Sequence, residues 1–214
     1  MSENEKGFAS KIFGVITSPR RAFQDIEERD LRTGLFIVFL VAILSAWAGM
    51  IYFSKTELNL LASGLSGINF EASSLTPFIA IGGIVGTFIR WLVPSLLVLL
   101  TAKVLVGEGS SRRMLAMTSF AFMPMAAQQL LRVIDAMTIS STNLAALAAS
   151  QLNATGLVGK IISQAIGVFT VFGLLTVLLN TYAVSANYGA DTRKSATVTV
   201  AAYLIYVLLL AFIS

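Results

Sequence analysis

The sequence predicts an all-α protein: an integral membrane bundle of five transmembrane helices preceded by short amphipathic helices. Three observations predict it. Hydrophobic residues make up 56% of the 214-residue chain and charged residues 12%, where a soluble domain carries roughly 25% charged residues. Mean hydropathy is +0.82, and a soluble fold of this length could not hide so much apolar surface, so the excess must face lipid. The apolar residues also gather into five long runs, each near the twenty or so residues that carry a helix across ~30 Å of hydrocarbon.

Residues 1–33 read as a cytosolic or interfacial amphipathic segment, and 34–214 as the membrane domain. Phe8, Ile12 and Ile16 recur every fourth residue with Phe13 beside them, while Ser10 and Lys11 lie off that stripe. This suits a short helix in the membrane interface or one packed on the protein. Ser18-Pro19 then reads as a helix start, with Ser18 as N-cap and Pro19 at the first helical position. Ala22, Phe23 and Ile26 make the apolar face of this second helix. The first long apolar run comes too late in the chain for a cleavable signal peptide, and none is expected.

The first span is 34–53, without a charge, and Trp47 and Tyr52 anchor its outer end. Residues 54–76 form a loop in which Leu58, Leu60, Leu61 and Leu65 suggest a helical part resting on the membrane. The second run, 77–106, is longer than a crossing needs and predicts tilt, or a kink at Pro94, which lacks an amide donor. Within it Gly82-x-x-x-Gly86 is a helix-packing spacing that lets a neighbour approach closely. A turn with Arg112 and Arg113 leads to the third span, 114–134, which contains Pro124 and ends in the polar stretch Gln128, Gln129, Arg132 and Asp135. Residues 136–159 form a loop, in which Asn153-Ala154-Thr155 is a glycosylation sequon in form only. The fourth span is 161–187, and the fifth, 196–213, follows a turn with Arg193 and Lys194.

Charge assigns the orientation. Net charge is +4 and the isoelectric point about 9.6, but the basic residues flank apolar runs and do not suggest nucleic acid. Six of the fifteen lysines and arginines precede Gly34, and two stand in each of the turns before spans three and five. The opposite connections hold Lys55, with Arg132 and Lys160 only at their margins. The positive-inside rule therefore places the N-terminus in the cytoplasm and the C-terminus outside a cell membrane, as an odd number of spans requires.

Arg90 is the most informative polar residue. An arginine at the centre of a helix in lipid costs about 2.5 kcal/mol or more, so it should face another helix or a water-filled space. Asp135 and Glu108 are the partners the sequence offers it, and Gln128, Gln129, Arg132 and Asn180 are further groups for an intramembrane polar site. Such a group is a ligand or solute path, a bridge between helices, or an arginine that snorkels to one surface. Lys103 and Lys160 sit near span ends and are expected to snorkel.

The chain has no histidine and no cysteine. Disulfides, thiol nucleophiles, lipidated cysteines and the usual zinc sites are excluded, as is the commonest general base. No two carboxylates share a span, and no phosphate-binding loop occurs. No enzyme, metal or cofactor is expected.

The order of these features resembles the Yip family of polytopic membrane proteins, in a prokaryotic member. The resemblance rests on Ser18-Pro19-Arg20-Arg21-Ala22-Phe23, on the Gly107-Glu108-Gly109-Ser110 turn, on Ser119-Phe120-Ala121-Phe122-Met123-Pro124, and on the entry from Gly189 to Ala196. It spans about residues 8–213 and marks Pro19, Phe23, Gly107 and Pro124 as family positions. It implies a five-helix membrane domain with a cytosolic N-terminus, association with itself or with other membrane proteins, and a role in trafficking or membrane shape. The long N-terminal region of the eukaryotic members has no counterpart before Phe8, so GTPase binding is not carried over. Two functions follow: a non-enzymatic scaffold that binds partner proteins or lipids, or a small-solute or ion transporter or channel using the polar site around Arg90.

Overall fold

The structure, a computed structural model, describes residues 8–62, 75–140 and 157–213. The expected Leu65 part of the first loop and the Asn153 sequon lie outside the described residues. Two short helices, α1 (Phe8–Thr17) and α2 (Pro19–Gln24), and a 3₁₀ turn (Glu28–Asp30) precede α3 (Leu31–Ala62) and α4 (Thr76–Leu105). Then come α5 (Ser111–Ala121), α6 (Pro124–Thr138), α7 (Leu157–Val168), α8 (Val171–Tyr188) and α9 (Thr192–Ile213). Five stretches are long and apolar enough to cross a membrane: Glu28–Lys55, Thr76–Leu105, Ser111–Thr138, Val171–Tyr188 and Thr192–Ile213. The chain is an all-α membrane bundle.

Local chemistry explains the joints. Pro124 opens α6, where its missing amide costs nothing, and so divides the third span into α5 and α6. Ser110 caps α5 by accepting the Arg113 amide at 3.2 Å. Gly107 has φ +126° and Gly189 φ +65°, conformations that favour glycine, and they turn the chain after α4 and α8. Pro19 does start α2, but Ser18 makes no side-chain cap; its carbonyl accepts the Arg21 and Ala22 amides instead. At Pro94 the helix continues unbroken, and α4 is a single element from end to end.

The bundle packs through small residues. A Cβ on Gly83 would come within 2.9 Å of the Ala46 backbone, and one on Gly34 within 2.6 Å of Ser119 Cβ. Close approach of α3 to α4 and to α5 depends on those two glycines. Gly82 and Gly86 behave differently, since a Cβ on either meets nothing within 4 Å. They point away from the bundle, so the close intrachain contact falls to Gly83.

The N-terminal segment is a clasp on one end of the bundle. Val15, Phe23 and Ile26 are fully buried in a core with Met114, Met117 and Val184. Arg113 donates from Nε to the Ile26 carbonyl at 2.8 Å and from Nη2 to the Gln24 carbonyl at 3.0 Å. Lys11 pairs with the buried Asp30 at 2.6 Å. Helix α1 is thus apolar on two faces: Val15 turns inward, while Phe13 and Ile16 are 68% and 61% exposed.

Candidate functional site

Halfway along α4, the exposed Arg90 borders a partly open cavity of about 70 Å³ lined by residues of five helices. Its walls include Pro94 of α4, Gln164 and Gly167 of α7, Thr176 of α8, and Tyr203 and Tyr206 of α9. At ~30 Å³ per water molecule this space suits roughly two waters or one small anion. The Arg90 guanidinium sits beside the Tyr206 hydroxyl, and both line the cavity. Behind it, Asn180 Nδ2 donates to the Tyr203 hydroxyl at 3.2 Å and to the Thr176 carbonyl at 2.9 Å. Arg90, the two tyrosines and Asn180 therefore form a polar wedge between α4, α8 and α9.

Backbone polarity adds to it. Pro94 has no amide to give, so the carbonyl of Arg90, four residues earlier, loses its helical donor. The fourth run does not form one helix from 161 to 187; it is broken between Val168 and Val171. Thr170 caps the new start, its Oγ1 accepting the Gly173 amide at 3.1 Å. Only glycine fits at 173, because a Cβ there would collide with the Val168 carbonyl oxygen. A break leaves the last carbonyls of α7 and the first amides of α8 without helical partners. In hydrocarbon such groups are tolerated only inside protein or against a water-filled space, and Gly167, Val168 and Gly173 line this cavity.

Of the polar residues singled out in the sequence, Gln129 is buried on α6, and Arg90, Asn180, Gln128, Arg132 and Asp135 fall into three places. Arg90 and Asn180 belong to the wedge. Gln128 accepts from Thr170 Oγ1 at 3.4 Å, at the edge of the break. Arg132 and Asp135 lie on α6 towards its end, where the Tyr52 hydroxyl donates to Asp135 at 2.5 Å and Lys55 donates to the carbonyls of Met137 and Ile139 at 2.9 and 2.8 Å. Asp135 is thus engaged at one end of the bundle, Glu108 is exposed in the turn after α4, and the group that answers Arg90 is Tyr206. Among the described residues, none that lines the cavity is acidic.

Tyr203, Tyr206, Gln164 and Gly173 were not singled out in the sequence. The tyrosines stand three apart on the fifth span, which places them on one helix face, and Thr170-x-x-Gly173 is a cap signal inside an apolar run. Of the family positions, Phe23 is fully buried and Pro19, Gly107 and Pro124 shape helix ends and turns.

A family model described as the Yip1 domain matches residues 13–214. No curated protein and no solved structure matches the chain.

Proposed function

The chain belongs to the Yip1 domain family, and from that premise we propose that it is a non-enzymatic membrane scaffold that associates with a second copy of itself or another membrane protein. One observation carries this reading. Gly82, Gly86 and Arg90 follow one another at four-residue intervals on an exposed face of α4. They are flanked by the exposed Ile81, Val85 and Ile89. A glycine ledge lets a foreign helix lie close, and an arginine at mid-span gains from being covered by protein in place of lipid. The N-terminus is cytoplasmic in this reading, with the clasp and the basic turns on the same side.

The test is self-association between differently labelled copies in nanodiscs, read by energy transfer. Gly86→Leu should abolish transfer without lowering the melting temperature, because among the described residues nothing lies within 4 Å of a Cβ at that position. Monomeric behaviour in detergent and nanodiscs alike, with no partner trapped by crosslinking, would overturn the proposal.

The cavity supports a second reading, a path for a small solute or ion at Arg90. Broken helices beside a charge near the bilayer centre are the building parts of transporter sites. Flux into liposomes that Arg90→Ala abolishes would favour it, and no flux across a broad panel would remove it.

A further inference from the structure

We propose that the N-terminal clasp and α8 together hold one anionic phospholipid, with its phosphate on Arg20 and Arg21 and an acyl chain along α8. Two openings meet at Pro19. The first, about 390 Å³, is lined by Ser18, Pro19, Arg20, Arg21, Tyr182 and Thr192. The second, about 280 Å³, is a groove whose walls come from α1, α2, α6 and α8, among them Ile16, Pro19, Pro124, Leu175 and Leu178. Each approaches or falls within the roughly 300–1,000 Å³ of small-molecule sites.

The chemistry changes abruptly from one opening to the other. The first carries two exposed arginines and, among the described residues, no acid. Arg20 also borders a polar recess with Gln24, Tyr182 and Ser185, which supplies hydrogen-bonding groups beside the charge. The groove carries no charged side chain among the described residues. One face of α8 joins them: Tyr182, Leu178, Leu175 and Phe172 recur every three or four residues, the spacing of a single helical stripe. At 1.5 Å per residue that stripe runs about 15 Å from the arginines into the bilayer. Ile16, Leu175 and Leu178 are 61%, 43% and 49% exposed.

Two sources of phosphate can be separated by this geometry. A free phosphate uses only the arginines and leaves the groove unused. A lipid uses both, and a zwitterionic lipid brings its own cation against Arg20 and Arg21. The site therefore favours a lipid with net negative charge. It lies away from the α4 ledge, so scaffold and lipid site can fail independently.

The experiment is native mass spectrometry of the delipidated full chain with equimolar phosphatidylglycerol and phosphatidylcholine. One phosphatidylglycerol should be retained, with a preference on the order of tenfold, as two arginines near an anionic headgroup imply. Arg20→Gln with Arg21→Gln should remove the preference. Leu175→Trp, which fills the groove, should weaken lipid binding while the arginines remain. Equal retention of the two lipids by the wild-type chain overturns the proposal. So does unchanged selectivity in a double variant that melts normally, or inorganic phosphate at the lipid's concentration displacing it fully. Should the double variant not fold, the wild-type preference and the phosphate competition decide the matter alone.

Discussion

Glycine in this bundle has two opposite uses, and single substitutions tell them apart. At Gly173 a Cβ would run first into the Val168 backbone carbonyl, and backbone cannot move aside as a side chain can. Gly173→Ala should destabilise the chain by more than about 2 kcal/mol, within or above the range for overpacked sites, read as a fall in melting temperature in detergent. Gly82→Ala should leave that temperature unchanged, since open space lies beyond it. The sequence showed Gly82, Gly83 and Gly86 together but not which of them faces a neighbour. Spacing marks the helix-packing type, whereas the direction each glycine faces is set by how α3 lies against α4. Arg90 teaches the same lesson: its charge demanded a partner, and the sequence offered carboxylates because they are charged. The structure supplies a phenol from a helix more than a hundred residues later, a neighbour that no local pattern identifies.

Among the elements, the N-terminal clasp and the broken fourth run behave most unlike simple spans. The clasp is held by its buried Val15, Phe23 and Ile26 and by the two Arg113 hydrogen bonds. Phe23→Ala should cost about 3–5 kcal/mol, as for other fully buried aromatic side chains. Arg113→Ala removes the donors of two backbone carbonyls and should cost about 1–3 kcal/mol, with faster amide hydrogen exchange across residues 19–30 than elsewhere. The amphipathic stripe was legible because it is local. That α1 is apolar on a second, inward face was not, since Val15 reads as one more apolar residue until α5 and α8 close over it. The break at Thr170 was hidden for a related reason. Residues 161–182 carry no charged residue, and hydropathy averages over a cap that only Thr170 and Gly173 betray. If the cavity beside the break holds water, a single cysteine at Gln164 should react with a water-soluble maleimide. The natural chain has no cysteine to confuse the result.

At the scale of the whole molecule, the proposed topology of five crossings predicts a parity, with the two termini on opposite sides of the bilayer. Protease-sensitive tags on each end, assayed in sealed vesicles, should be cut from opposite faces, with the N-terminal one on the cytoplasmic face. Number and order of spans were readable because length and hydropathy are properties of consecutive residues. One feature of the fold also bears on how the protein is made. The clasp leaves the ribosome before the bundle it closes, yet its apolar side chains are covered by α5 and by Val184 of α8. Those partners are translated up to about 160 residues later, an interval of roughly 8–30 s at usual elongation rates. Throughout that time the nascent chain carries a greasy, arginine-bearing hairpin with nowhere to dock, which makes the membrane surface beside the translocon its natural waiting place.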